Sequence, residues 1–148
     1  MGSVNPALGR LTYFDANIVI HVLEGFTQSG QVLRTILAAM DRGELTAATS
    51  ELTLAEVLVK PKKERNAALE AAYLQFLQPS RAMRMVPITM DILFAASHLR
   101  ATTSLKLPDA IHLATAKSEG CDSFLTNDRS FLDSMGVHIA LLDQLDWT

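Results

Sequence analysis

Short apolar segments alternate along this chain with longer stretches whose apolar residues recur every three or four positions, the spacing of a helix that buries one face. The predicted strands are Leu11–Phe14, Leu45–Ala48, Met85–Ile88, Ser123–Thr126 and His138–Leu142. The predicted helices are a segment through Ile18–Leu23 ending near Gly25, Gln31–Asp41, a short helix from Ser50 to Pro61, Arg65–Leu77, Asp91–Arg100 and Pro108–Glu119. This alternation predicts an α/β sandwich built on a mostly parallel sheet.

Pro61 is expected to end the helix that Ser50 opens. Proline has no amide hydrogen, and its ring disfavours a helical conformation in the preceding residue. Gly120, directly after the last predicted helix, is typical of a helix end.

Four acidic residues follow predicted strands or lie on the helices after them. Asp15 follows the first strand, and Asp128 follows the strand in SFLTNDRSF. Glu56 lies on the helix in TSELTLAEVL, and Asp109 opens the helix in LKLPDAIHLATA. Because parallel strands end at the same edge of a sheet, where α/β proteins bind their ligands, we expect these acids to lie near one another.

Clustered carboxylates repel one another, and their charges are costly in a cleft unless a cation neutralises them. Oxygen ligands of this kind suit Mg²⁺ or Mn²⁺. One or two such ions can activate water and stabilise the charge that develops when a phosphodiester is displaced. The pattern therefore favours a metal site for phosphodiester chemistry.

Each acid also has a purely structural interpretation. Asp15 and Asp128 fit turns, and Asp109 in the first turn of a helix complements the helix dipole. Glu56 fits a capping box with Thr53, although a helix start at Ser50 gives a more ordinary length. For each acid taken singly, the structural interpretation is stronger than the functional one. The common position of the four acids at one edge of the sheet nevertheless favours a functional site.

Two neighbouring polar residues are assigned more cautiously. Asn17 is interpreted first as a helix N-cap and second as a contact to the site. His112, three residues after Asp109, is interpreted as a histidine on the helix surface or partly buried, with a role beside a carboxylate as the alternative. His21, His98 and His138 lack metal-ligand spacing, so no zinc site is expected.

Length and composition indicate one domain over residues 1–148, with residues 1–10 as a candidate flexible segment. Cys121 is the only cysteine, which excludes an internal disulfide and a cysteine-rich metal site. The N-terminus lacks the pattern of a secretory signal, and no apolar run is long enough to span a bilayer. We therefore expect a cytoplasmic protein that does not enter membranes.

The net charge of −3 argues against a general polyanion binder. Basic residues are nevertheless locally concentrated, since Lys60, Lys62, Lys63 and Arg65 fall together. A solvated charged surface is the alternative interpretation.

LTYFDANIVI, AATSELTLAEVL, LPDAIHLATA and SFLTNDRSF resemble, in order, the acidic motifs of PIN-domain proteins, particularly VapC-type ribonuclease toxins of toxin–antitoxin modules. The motifs extend from Leu11 to Phe131 and so cover nearly the whole chain. The resemblance implies a three-layer α/β/α sandwich with a sheet of four to five strands, and an endoribonuclease dependent on Mg²⁺ or Mn²⁺.

By this resemblance, Asp15 and Asp109 would hold the metal, while Glu56 and Asp128 would orient waters around it or hold a second ion. All four would be catalytic, and cleavage would leave 5′-phosphate and 3′-hydroxyl ends. Asn17 matches the small polar position after the first aspartate, and Asn127 is a polar neighbour of the last acid, so both are candidates for supporting contacts.

The partners implied by the resemblance are RNA, a cognate antitoxin and a second copy of the chain in a homodimer. A local basic groove can bind RNA whatever the net charge, and the candidate RNA contacts are Lys60, Lys62, Lys63, Arg65 and Arg129. The antitoxin would wrap an apolar groove, with the helices Val32–Met40 and Glu51–Val59 as its candidate walls, and insert a basic side chain into the acidic site. The alternatives are a PIN nuclease of RNA processing or turnover and a catalytically silent PIN-fold binding module. A phosphate-accepting signalling domain ranks last, because no lysine follows Lys117.

Overall fold

Five short strands form one sheet in the computed structural model, which describes residues 8–25 and 30–145. The strands are β1 (Leu11–Phe14), β2 (Thr46–Ser50), β3 (Met83–Val86), β4 (Ser123–Thr126) and β5 (Ile139–Leu141). The helices are α1 (Ala16–Glu24), α2 (Gly30–Asp41), α3 (Glu51–Lys63), α4 (Ala67–Leu77), α5 (Met90–Thr102) and α6 (Leu107–Ser118). Every predicted strand and helix is present, and the bounds of β1 and β4 agree with the prediction.

All four strand pairings are parallel, in the order β3-β2-β1-β4-β5. The strand order reverses at β1, since the chain adds β2 and β3 on one side of it and β4 and β5 on the other. In open parallel sheets this switch point opens a crevice at the carboxyl ends of the two strands that meet there. Here those strands are β1 and β4, which precede Asp15 and Asp128.

Each face of the sheet is covered by helices. Because side chains along a strand alternate between the two faces, neighbouring residues of one strand belong to different apolar clusters. Phe14 and Leu125 belong to the apolar cluster formed with α1, α2, α3 and α4. Tyr13 and Phe124 belong to the opposite cluster, formed with α5 and α6. The predicted three-layer α/β/α sandwich with a parallel sheet is confirmed.

The helix that follows Ser50 does not end at Pro61, so that prediction is wrong. α3 continues to Lys63, with Pro61 buried inside it. Proline has no amide hydrogen to donate to the carbonyl four residues earlier, so α3 lacks that one hydrogen bond near its C-terminal end. The helix ends where Arg65 adopts a φ of 52°, which lets the Asn66 amide donate to the Pro61 carbonyl at 2.8 Å.

The strand predicted at Met85–Ile88 instead spans Met83–Val86. Its first residue, Met83, pairs with Ala47 of β2. Pro87 has no amide hydrogen to continue the ladder, which explains why the strand ends before it.

The segment proposed as flexible, residues 1–10, falls mainly on residues 1–7, which lie outside the described residues. Leu8 at its end is fully buried, and its carbonyl accepts hydrogen bonds from the hydroxyls of Thr12 and Ser123. Among the helices of the described ranges, none has the length and apolar character needed to cross a bilayer.

Candidate active site

Asp15 lies at the carboxyl end of β1 and caps α1. Its Oδ1 accepts a hydrogen bond from the Ala16 amide at 2.8 Å, so Asp15 is the N-cap of this helix. The side chain is buried, and this burial raises its pKa, while the hydrogen bonds from Thr126 and Ala16 lower it. The position therefore combines an ordinary capping role with a charge that is costly to bury.

Thr126, the last residue of β4, connects Asp15 to Asp128. Its hydroxyl donates to Asp15 Oδ2 at 2.7 Å and accepts from the Asp128 amide at 3.0 Å. Asp128 Oδ1 in turn accepts from the Ser130 amide at 2.8 Å, which is the turn contact expected of an aspartate here. The two strand-end aspartates of the predicted site are thus brought together at the switch point.

Asp109 lies in the first turn of α6, and its exposure is intermediate. Its pKa is raised first by burial and then by the negative charges of Asp15, Asp128 and Glu56. The other three predicted acids therefore all repel the charge of Asp109, and Glu56 also raises the pKa of Asp15. This mutual repulsion is the main physical signature of the site.

Glu56 reaches the site from α3 and is held by His112. Glu56 Oε1 lies 2.6 Å from His112 Nε2, and the Glu56 side chain is 36% exposed. His112 is only 1% exposed, and its Nδ1 lies 2.6 Å from the hydroxyl of Tyr13. The first interpretation of His112, a surface or partly buried histidine, is wrong, because α6 packs directly on the sheet and turns this residue inward.

The two asparagines have different positions from those predicted. Asn17 is not the N-cap of α1, since Asp15 takes that role; Asn17 is exposed, and no hydrogen bond of its side chain is found among the described residues. Asn127 Oδ1 accepts from the Asp143 amide at 3.2 Å and so contacts the turn after β5. The supporting roles of Asn17 and Asn127 at the site stay predictions.

The donor set at this edge consists of carboxylates, and the basic side chain described among them is the buried His112, which contacts Glu56. Within residues 8–25 and 30–145, no lysine or arginine forms an ion pair with Asp15, Glu56, Asp109 or Asp128. The same residues contain no group of three acidic, histidine or cysteine side chains close enough to hold a metal ion. Uncompensated oxygen donors of this kind fit a hard divalent cation, which would need to draw them closer together.

The candidate RNA contacts are mostly engaged with acids. Lys60 pairs with Glu24 at 2.7 Å, and Lys62 with Glu70 at 3.0 Å. Arg129, beside the site, pairs with Asp143 at 3.0 Å. The remaining two, Lys63 and Arg65, are exposed at the C-terminal end of α3. This end lies roughly 10 Å from Glu56 along the helix, at 1.5 Å per residue.

Tyr13 and Thr126 contact the site residues but were not among the predicted candidates. Thr126 gave a local signal, since it stands two residues before Asp128, where a hydroxyl can bond to a backbone amide. Tyr13 gave none, because its partner His112 lies 99 residues away in the sequence.

Comparison with known proteins agrees with this architecture. The family model described as PIN domain matches residues 12–134. A chain of a toxin–antitoxin complex from Klebsiella pneumoniae is 30% identical, with a TM-score of 0.61, over 79% of this chain and 86% of that one. No curated protein gave a significant match.

Two further solved structures share the fold at lower identity. VapBC2 from Rickettsia felis, bound to a DNA fragment from its promoter, has a TM-score of 0.69 at 15% identity, over 93% of this chain and 99% of that one. VapC20 from Mycobacterium tuberculosis, a toxin that cleaves the sarcin–ricin loop, has a TM-score of 0.60 at 14% identity, over 76% of this chain and 86% of that one.

Proposed function

This chain belongs to the PIN domain family, and we propose that it is an endoribonuclease dependent on Mg²⁺ or Mn²⁺, the toxin of a toxin–antitoxin module. The observation that carries the proposal is the position of four carboxylates at the carboxyl edge of the sheet: Thr126 connects Asp15 to Asp128 there, and burial together with the charges of Asp15, Asp128 and Glu56 raises the pKa of Asp109. Ionised groups that repel one another in this way are costly unless a cation neutralises them. The 30% identity to a chain of a toxin–antitoxin complex supports the biological setting.

Asp15 and Asp109 are the residues that would hold the cation directly, with Glu56 and Asp128 orienting waters around it or holding a second ion. When bound, the cation would activate water and neutralise charge on the scissile phosphate. Thr126 orients Asp15 through its hydroxyl, which fixes one oxygen of that carboxylate. Hydrolysis would leave 5′-phosphate and 3′-hydroxyl ends.

The substrate we propose is RNA, and the structural neighbour VapC20 from Mycobacterium tuberculosis is a toxin that cleaves the sarcin–ricin loop. Arg129 is adjacent to Asp128, so it is the basic residue nearest in sequence to the site. Lys63 and Arg65 are exposed and could contact a phosphate farther along the same strand, whereas Lys60 and Lys62 would first need to leave Glu24 and Glu70. Asn17 and Asn127 remain proposed supporting residues at the edges of this surface.

A cognate antitoxin is proposed as the protein partner. Val32–Met40 on α2 and Glu51–Val59 on α3 remain the proposed groove walls. Support comes from partly buried apolar residues on these helices, including Val32, Leu37 and Leu54, and from Val59, which is 49% exposed.

A homodimer is proposed through α5, which exposes an apolar surface of Met90, Leu93 and Phe94. Met90 is 84% exposed and Phe94 is 79% exposed. These residues are spaced three and four positions apart, so they share one face of the helix. Large exposed apolar side chains grouped in this way are typical of interaction surfaces.

A nuclease that acts on cellular RNA would work in the cytoplasm.

Asp15→Asn and Asp109→Asn test the proposed chemistry. Each should abolish cleavage of RNA in Mg²⁺ while leaving the circular dichroism spectrum unchanged. Asp91→Asn is the matched control, because Asp91 also lies in the first turn of a helix but outside the site, and it should cleave normally. Sequencing of the RNA fragments would give the cleavage site and the chemistry of the ends.

Normal Mg²⁺-dependent cleavage by both site variants would refute the assignment. A wild-type protein that binds Mg²⁺ but cleaves no RNA would instead indicate a silent PIN-fold binding module. Cleavage without growth arrest on expression, and without an adjacent antitoxin gene, would indicate a nuclease of RNA processing or turnover.

A further inference from the structure

A chain of buried hydrogen bonds leads from the backbone of β2 to Glu56. The Ser50 amide donates to the Tyr13 hydroxyl oxygen at 3.0 Å. That hydroxyl lies 2.6 Å from His112 Nδ1, and His112 Nε2 lies 2.6 Å from Glu56 Oε1. Four elements of the fold, β2, β1, α6 and α3, are joined by these three contacts.

The contacts determine where the imidazole proton lies. A tyrosine hydroxyl keeps its hydrogen at neutral pH, since its ordinary pKa is about 10. Because the Tyr13 oxygen already accepts from Ser50, its own hydrogen is available to His112 Nδ1. A neutral imidazole that accepts at Nδ1 carries its proton on Nε2 and can donate it to a carboxylate.

Packing holds the His112 ring in place. Tyr13 and His112 are 0% and 1% exposed. The His112 ring meets the Tyr13 ring edge-on at 5.8 Å, and Tyr13 stacks on Phe124 at 5.0 Å. Phe124 also contacts Phe131, with ring centres 4.5 Å apart. The Tyr13 ring that contacts His112 is therefore itself packed in a row of three aromatic rings.

Both nitrogens of His112 are therefore occupied by protein groups, which leaves neither for a metal ion. Glu56 is different. Its Oε1 is held by His112, while no hydrogen bond of Oε2 is found in the part of the chain that the structure describes, and the side chain is 36% exposed.

We propose that Tyr13 and His112 are positioning residues, with Tyr13 fixing His112 as the Nε2–H tautomer and His112 holding one oxygen of Glu56, so that the other faces the cation site. The functional part of this inference rests on the proposed function; the tautomer does not. Groups that orient metal-binding carboxylates commonly change metal affinity or activity by about 10–100-fold when removed.

The tautomer is measured directly by nitrogen-15 NMR of the metal-free protein at neutral pH. The expected spectrum shows His112 with a proton on Nε2 and a hydrogen-bonded, unprotonated Nδ1. In Tyr13→Phe the Nδ1 signal should move towards that of a nitrogen without a donor. A proton on Nδ1 in the wild type, or exchange between tautomers, would overturn the proposal whatever the protein's activity.

A matched pair of variants tests the positioning role. His112→Gln places an amide donor near the position of Nε2, whereas the shorter side chain in His112→Asn does not reach Glu56. By calorimetry, His112→Asn should bind Mg²⁺ about 10–100-fold more weakly, while His112→Gln should stay within about threefold of the wild type. On RNA, the loss in His112→Asn should fall on kcat rather than KM.

The two variants distinguish positioning from packing, because both remove the ring. Equal loss of Mg²⁺ affinity in both, with folds intact, would contradict a role for the Nε2 donor, and so would equal retention. If His112→Asn does not fold, Tyr13→Phe takes its place against His112→Gln. A wild-type protein that binds Mg²⁺ but cleaves no RNA would refute the proposed function and leave the affinity comparison to decide the positioning role.

Discussion

Asp109→Asn should make the metal-free protein more stable. The substitution removes one negative charge from a place where burial, and then the charges of Asp15, Asp128 and Glu56, raise the pKa of the Asp109 carboxyl. The structure shows no hydrogen bond of the Asp109 side chain within the described ranges. The asparagine side chain of the variant should therefore lose no hydrogen bond. A residue that lowers stability in the absence of its ligand is expected at a functional site.

The size of the effect follows from the number of neighbours and their partial exposure. Partly solvated charge pairs are each worth about 0.2–1 kcal/mol, and three of them oppose Asp109. The variant also loses the favourable interaction of an anion with the start of α6, worth about 0.3–1 kcal/mol. The net gain should be about 1 kcal/mol, which for a chain of this length raises Tm by about 3 °C.

The pH dependence of this gain provides its own check. A raised carboxyl pKa means that the folded protein disfavours the ionised form. The contribution of Asp109 to stability is therefore most favourable below the ordinary pKa of 3.8, and it becomes unfavourable as pH rises through the raised value. The advantage of the variant should be small near pH 4 and complete at pH 7.5. Urea unfolding in a chelator at both pH values measures it.

Mg²⁺ should reduce the advantage, because a ligand that binds only the folded state stabilises the wild type more than a variant lacking one carboxylate. Asp91→Asn is the control: it makes the same chemical change in the first turn of α5, and it should lower stability slightly at neutral pH. If Asp109→Asn is less stable than the wild type in chelator at pH 7.5, or if its advantage does not change with pH, the electrostatic reasoning is wrong.

Three other substitutions have defined outcomes. Tyr13→Phe should lower the free energy of unfolding by about 2–4 kcal/mol, because it leaves the Ser50 amide and His112 Nδ1 buried without partners; urea unfolding measures this, and a loss below 1 kcal/mol would contradict it. Arg65→Gly should gain about 0.5–1 kcal/mol by relieving a φ of 52°, whereas Arg65→Ala should not. Phe94→Asp should convert a dimer to monomers in light scattering, and an unchanged mass would exclude this surface.

The sequence alone predicted most of the framework. Short apolar runs defined β1 and β4, because a strand with both faces covered requires side chains such as Tyr13 and Phe14 to be apolar in succession. It also placed Asp15 and Asp128 at strand ends, and the parallel arrangement then brought these ends to one edge. These are local properties that neighbouring residues determine.

Other features depended on residues distant in sequence. Pro61 signals a helix end, yet α3 passes through it and ends at a backbone arrangement around Arg65 that no propensity specifies. The interior position of His112 follows from the packing of α6 on the sheet, and its partners Tyr13 and Glu56 lie 99 and 56 residues away. Sequence patterns identify which residues can carry charge or donate hydrogen bonds, but only the tertiary structure determines which of them meet.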